Sequence, residues 1–168
     1  RLLETISSVI SKDEYLQSIS AVNLESSEQD AILKNARVLV AEDNLVNQQV
    51  VRGVLKKKAM KVTVVNNGLE AIAAIHNSKE HFDLILMDLE MPEMDGIGAT
   101  QAIRAGERAP NIPIVALTAQ AMRGDRERCI AAGMNAYLSK PINPELLYKT
   151  LVEQLREQSI ENGHENSH

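Results

Sequence analysis

Residues 84–97 read LILMDLEMPEMDGI, and the first five of them decide the fold. Leu84, Ile85, Leu86 and Met87 are apolar without alternation. A strand of that kind is buried on both faces, as in a parallel sheet covered by helices on each side. Asp88 closes the run, Pro92 and Asp95-Gly96 mark a loop, and Ile97 to about Ala105 takes up helical spacing. The same strand–loop–helix unit recurs on either side. Upstream, Val38-Leu39-Val40-Ala41 is a buried strand, and Val46, Val50, Val51, Val54 and Leu55 mark one face of a helix. Val62-Thr63-Val64-Val65 is strand-like, Asn66-Asn67-Gly68 turns, and Leu69, Ile72, Ala73 and Ile75 resume the helical period. Downstream, Ile114-Val115-Ala116-Leu117 is a strand, and Met122 to Ala132 is a helix with Gly133 as its stop. Ala136-Tyr137-Leu138 is the last strand; Asn143 then caps a helix with Pro144 at its first position and Leu147, Leu151 and Leu155 as its apolar stripe.

Five strands alternating with five helices predict an α/β domain with one parallel sheet. In such folds ligands bind beyond the carboxyl ends of the strands, near the point where strand order reverses. Those ends are chemically loaded. The first strand runs into Glu42-Asp43, the third ends in Asp88, the fourth in Thr118-Ala119, and the fifth in Ser139-Lys140-Pro141. Three carboxylates, a hydroxyl and an ammonium are thus expected on one edge. Like charges ~4 Å apart repel by ~4 kcal/mol at an effective dielectric of ~20. Such a cluster persists only with positive charge beside it, and a hard divalent cation with oxygen ligands, Mg²⁺, suits it. Lys140 adds a point charge fitted to phosphate. A carboxylate so placed can attack phosphorus and form an acyl phosphate. Asp88, on the central strand, is the candidate nucleophile; Asp43, with Glu42 behind it, would hold the metal, and Lys140 and Thr118 would contact the phosphoryl oxygens. Taken singly, each residue has a plainer reading. An Asp at a strand end is commonly a turn or cap residue, Glu42-Asp43 could cap the next helix, and Lys140 alone would be a surface lysine. The signal is the set.

The stretches VLVAEDNLVNQQV (38–50), NNGLEAI (66–72), LILMDLEMPEMDGI (84–97), IPIVALTAQAM (112–122) and GMNAYLSKPI (133–142) resemble the receiver domains of two-component signalling. The resemblance runs from about residue 36 to 157, and the wording is most similar to receivers attached to hybrid histidine kinases. It implies a flavodoxin-like, doubly wound (βα)5 fold with Asp88 as phosphoacceptor. Asp43, Asp88 and the backbone carbonyl of Glu90 would ligate Mg²⁺, with Glu42 acting through water. Thr118 and Tyr137 would form the switch pair, and the Lys140–Pro141 bond would be cis. Glu90 and Gln120 stand where the family varies the lifetime of the aspartyl phosphate. The implied partners are a histidine kinase or a histidine phosphotransfer domain as phosphodonor. A dimer through the fourth helix, fifth strand and fifth helix is also consistent with the family. Slow autodephosphorylation is the only turnover expected of such a domain, although the parent polypeptide could be a hybrid kinase.

Two other functions compete. An aspartate-nucleophile phosphohydrolase of the haloacid-dehalogenase type needs a second Asp two positions after the first, where this chain has Glu90. A phosphate-independent interaction module would have no use for the complete acidic set. The chain has 168 residues, 44% hydrophobic and 2% aromatic, so its core rests on aliphatic side chains. A net charge of −5 argues against a nucleic-acid surface, and Lys56-Lys57-Lys58 is read as a complement to a helix C-terminus. A single cysteine, Cys129, excludes an internal disulfide and is read as a packed thiol in a reducing compartment. His76, His81, His164 and His168 lack metal-ligand spacing. The absence of a leading Met and of a signal peptide suggests a cytoplasmic piece of a longer protein, whose parent could be anchored in the inner membrane.

Residues 1–35 are expected to form an N-terminal helix and linker, 36–157 the domain, and 158–168 a disordered tail. Leu2, Leu3, Ile6, Val9 and Ile10 have the spacing of a short amphipathic helix, and the polar stretch Glu25–Gln29 reads as linker. Arg1–Thr5 is similar to the last helix of a receiver, around Glu145-Leu146-Leu147. It is either the tail of a preceding receiver-like domain or a linker helix.

Overall fold

The computed structural model describes residues 11–79, 81–119 and 123–165. Among them are six helices and five strands. The order is α1 (Lys12–Leu33), β1 (Arg37–Ala41), α2 (Leu45–Lys56), β2 (Lys61–Val65), α3 (Gly68–Asn77), β3 (Leu84–Asp88), α4 (Gly96–Ala105), β4 (Ile114–Thr118), α5 (Arg123–Ala132), β5 (Ala136–Ser139) and α6 (Pro144–Glu165). The expected helix over residues 2–10, Met122 and Gln120 lie outside the described residues.

All strand pairings are parallel, in the order β2-β1-β3-β4-β5. The doubly wound arrangement anticipated from the alternating pattern is therefore the one observed. Successive residues of a strand point to opposite faces, and each face has its own core. On one face Val38, Val40, Leu84, Leu86, Val115 and Leu117 pack with Val51 and Leu55 of α2 and Leu147 and Leu151 of α6. On the other, Leu39, Ala41, Ile85, Met87, Ile114 and Ala116 pack with Ala71 and Ile75 of α3, Ala99 and Ile103 of α4, and Cys129 of α5. β1, β3 and β4 are almost wholly buried, whereas β2, at the sheet edge, is only partly so. That explains why the Val62–Val65 run carries a threonine.

The helix ends follow local chemistry. Asn44, Asn67 and Asp95 cap α2, α3 and α4 with their side-chain oxygens. Asn143 Oδ1 accepts from the amides of Glu145 and Leu146. Gly133 stops α5 at φ +104°, a backbone conformation that glycine adopts without strain.

Helical structure extends further than the sequence reading in two places. The polar stretch Glu25–Gln29 is helical within α1 rather than linker. It contains neither Gly nor Pro, and Glu and Gln are good helix formers. Ser11 and Glu14 form a reciprocal capping box at the start of this helix. The last helix runs to Glu165, through the first eight positions of the expected disordered tail (158–165), and Ser159 Oγ donates to the Leu155 carbonyl within it.

The chain divides into compact units at Ala31/Ile32, residues 1–31 and 32–168. In the first, α1 exposes Tyr15, Leu16, Ile19 and Leu24. The second begins ahead of residue 36, because Leu33 is fully buried and packs into the same core as Leu147 and Leu151. Leu33→Ala should therefore cost about 2–4 kcal/mol in urea denaturation, as for a core leucine; a loss below about 0.5 kcal/mol would make it a linker residue.

Candidate functional site

The sheet register gathers the residues that matter. β1 and β3 are adjacent, with Ala41 opposite Met87, so Glu42-Asp43 and Asp88 emerge side by side at the carboxyl edge. This is where the strand order reverses, since β2 lies on one side of β1 and β3 on the other. β4 brings Leu117 opposite Asp88, and β5 brings Ser139 opposite Thr118. The Lys140 amide then donates to the Thr118 carbonyl at 2.7 Å, which carries the lysine to the same edge.

Glu42, Asp43 and Asp88 each offer a carboxylate oxygen, and these oxygens lie within 4.8 Å of one another. Glu42 is fully buried and Asp88 is 3% exposed, whereas Asp43 is open to solvent. Lys140 Nζ stands 2.7 Å from Glu42 Oε2 and 3.0 Å from Asp88 Oδ2. The second oxygen of each acid accepts from backbone: Glu42 Oε1 from Asn44 at 3.1 Å, Asp88 Oδ1 from Glu90 at 3.2 Å. Lys140 was expected to serve phosphoryl oxygens; the structure adds that it bridges two buried acids. The sequence places Glu42 and Lys140 at one edge of the sheet but, 98 positions apart, carries no sign of their direct pairing.

Burial and charge act on these groups in different proportions. For Asp88, burial dominates; with the nearby Glu42 charge it outweighs Lys140 and pushes the carboxyl up to about 6. Burial also raises Glu42, but Lys140 and the Asn44 amide more than offset it and hold this carboxyl below its usual value. Burial lowers Lys140, yet its two acid partners raise it above the ordinary lysine value.

Three carboxylates against one ammonium leave the edge negative, and every donor in the cluster is an oxygen. That donor set fits a hard cation such as Mg²⁺ and suits no soft metal. Among the described residues, no histidine or cysteine joins a potential metal-binding cluster.

Thr118 is 3% exposed at the end of β4. Tyr137 is half-buried against the core that contains Ala116, its register partner. Because Ala116 and Thr118 are two residues apart on one strand, Thr118 and Tyr137 share a face of the sheet. Glu90 is exposed, and with Asp43, Met91, Thr118 and Arg128 it lines a cleft of about 510 Å³. The Lys140–Pro141 bond is cis, as the resemblance implied. Cys129 is buried, and burial pushes its thiol up, in keeping with a packed side chain.

One supporting residue escaped the sequence reading. A Cβ on Gly96 would collide with the backbone carbonyl of Asp88. The loop folds back there, with the Gly96 amide donating to the Leu89 carbonyl at 3.1 Å. In the sequence Gly96 reads as a loop glycine; the close approach that requires it appears only in three dimensions.

Residues 38–152 match the family model of the response regulator receiver domain. The chain is 43% identical over 124 residues to hybrid signal transduction histidine kinase I of Dictyostelium discoideum, covering 71% of this chain and 7% of that protein. It is 42% identical over 119 residues to the sensor protein GacS of Pseudomonas syringae pv. syringae, covering 69% and 13%. The chain thus spans only a small part of the curated relatives it matches. Among solved structures, it is similar to the receiver domain of the Pseudomonas aeruginosa sensor histidine kinase PA1611, which holds a magnesium ion in its active-site cleft. The TM-score is 0.67 at 41% identity, over 72% of this chain and 98% of that one. It is also similar to a chain of the Saccharomyces cerevisiae complex between the histidine phosphotransfer protein Ypd1 and the receiver domain of Ssk1, with a TM-score of 0.66 at 32% identity, over 74% and 92%.

The raised Asp88 carboxyl has a consequence for stability without metal. A group whose folded pKa exceeds its unfolded one stabilises below the unfolded value, and that contribution is lost as pH rises through the folded one. Asp88 should therefore weaken the metal-free chain between about pH 4 and pH 6. In EDTA, Asp88→Asn should be more stable than the parent above about pH 6 by roughly 1–3 kcal/mol. The gap should close below about pH 4. Urea melts at a series of pH values measure both.

Proposed function

The chain belongs to the response regulator receiver domain family of two-component phosphorelays, and on that premise we propose that Asp88 accepts a phosphoryl group from a phosphohistidine. The observation that carries this reading is the buried Asp88 carboxylate, held between Lys140 and the Glu90 amide beside two further acids. An oxygen of Asp88 forms the new bond to phosphorus while the bond from phosphorus to the donor imidazole nitrogen breaks, and the nitrogen keeps the electron pair. Lys140 moves its charge from carboxylates toward the incoming phosphoryl oxygens, and the Thr118 hydroxyl takes up a further oxygen. Mg²⁺, held by Asp43, Asp88 and the backbone carbonyl of Glu90, with Glu42 through water, would supply the charge that makes an anionic donor tolerable here. The acyl phosphate hydrolyses slowly, and no other turnover is assigned to this chain.

Phosphorylation shifts a two-state equilibrium in which Thr118 and Tyr137, on one face of the sheet, move together and alter the surface of α5, β5 and α6. Dimerisation through that surface is part of the same reading. The donor is a histidine kinase or a histidine phosphotransfer domain. Leu45 and Val46, about 70% exposed at the start of α2, follow Asp43 after the single residue Asn44. Val50, one turn on from Val46, extends this apolar surface, and a helical donor with an apolar face would fit there. Among the described residues no helix is long and apolar enough to cross a membrane; a cytoplasmic location, and a parent anchored in a membrane, remain part of the proposal.

Asp88→Asn should take up no acid-labile phosphate from acetyl phosphate or from a phosphorylated histidine phosphotransfer protein, and EDTA should abolish uptake by the parent. Normal incorporation in the variant would remove the assignment. Leu45→Glu should slow transfer from the protein donor by roughly tenfold while leaving uptake from acetyl phosphate unchanged. Equal effects on both donors would place the docking surface elsewhere.

A further inference from the structure

The turn between β2 and α3 carries none of the proposed ligands, yet hydrogen bonds tie it to both loops that do. On the β1 side, Gln48 Nε2 of α2 donates to the backbone carbonyl of Glu42 and, at 2.9 Å, to Asn66 Oδ1. The Asn66 amide donates to Glu70 Oε2, and the Glu70 amide donates to Asn67 Oδ1 at 2.8 Å. On the β3 side, Asn67 Nδ2 donates to Glu93 Oε2 at 3.4 Å, and the Gly68 amide donates to the Met94 carbonyl at 3.0 Å. The approach at Gly68 is close: a Cβ there would lie 2.7 Å from the Met94 carbonyl oxygen and 2.9 Å from Ala99 Cβ. Neither atom is the free end of a flexible side chain. Glu93 itself stands at φ +65°, a left-handed conformation uncommon outside glycine, so the loop holds an unfavourable path at the point where it meets the turn.

We propose that this turn is a brace. It fixes the separation of the Glu42-Asp43 loop from the Glu90–Asp95 loop, and Gln48 and Gly68 act as positioning residues for the metal. The inference rests on the reading of the site as a Mg²⁺ site. Groups that orient metal ligands without touching the ion commonly carry roughly 10–100-fold of its affinity. Mg²⁺ requires short, near-octahedral geometry, whereas Ca²⁺ accepts longer bonds and irregular shells. Loosening the brace therefore penalises Mg²⁺ first, a selectivity effect that general destabilisation does not produce.

The test is an amide chemical-shift titration of the full chain with Mg²⁺ and, separately, Ca²⁺. It compares the parent with Gly68→Ala, Gln48→Met and the control Gly53→Ala, whose added Cβ meets nothing within 4 Å. All three substitutions preserve net charge, so Coulomb attraction to the ion is unchanged. Gly68→Ala and Gln48→Met should weaken Mg²⁺ binding by about tenfold and Ca²⁺ binding by less than about threefold, with Gly53→Ala matching the parent. Unchanged Mg²⁺ affinity in Gln48→Met, or equal weakening for both ions, overturns the brace. If Gly68→Ala fails to fold, Gln48→Met alone decides. A parent chain that binds no Mg²⁺ overturns the metal-site reading instead.

Discussion

Lys140 lies between two buried carboxylates, and the rest of the site depends on that arrangement. Glu42 and Asp88 come from neighbouring strands and have both been taken out of water. At their separation, mutual repulsion on the order of several kcal/mol would open the edge if nothing offset it. One ammonium within 3.0 Å of each is enough to keep Glu42 ionised, but not to return Asp88 to the usual carboxylate range. The edge is left short of positive charge at the residue best placed for chemistry. A domain built this way favours a cation and an anionic ligand arriving together.

That electrostatic tension requires a rigid support. β1, β3 and β4 supply it, because their side chains are sealed into two separate cores, one on each face. Close packing resists the small displacements by which the acids could relieve their repulsion. The loops beyond the strands are packed less fully, with Leu89, Met91 and Met94 only partly buried against the core, and rely also on caps and close backbone approaches. Gly96 lets the loop fold back beneath Asp88, and Gly68 lets α3 meet the Met94 carbonyl. Glycine serves at both places for lack of a side chain, with no left-handed dihedral involved.

The support also separates what is fixed from what can move. Asp88 and Glu42 have both oxygens engaged, while Asp43 and Glu90 lie at the solvent-facing cleft where a ligand enters. Thr118 and Tyr137 occupy one face, next to a cleft that also reaches Arg128 on α5. In the proposed reading, a change at Asp88 would reach α5 and β5 past Thr118 and the shared cleft while the central strands stay in register.

The sequence by itself determined the element order, the parallel sheet and the edge at which the acids gather. These follow from local patterns: continuous apolar runs such as Leu84–Met87, helical spacing between them, and ionisable residues at the ends of the first, third and fifth strands. Caps at Asn143 and Gly133 were legible for the same reason. Composition misled where helix propensity disagreed with polarity, as in Glu25–Gln29 and in residues 158–165, which continue as helix. Only the tertiary structure decided the depth at which each acid sits, the pairing of Lys140 with Glu42, the reach of the core back to Leu33, and the brace through Gln48 and Gly68. Those features depend on burial and on distances between segments far apart in the chain, and residue order alone carries no measure of either.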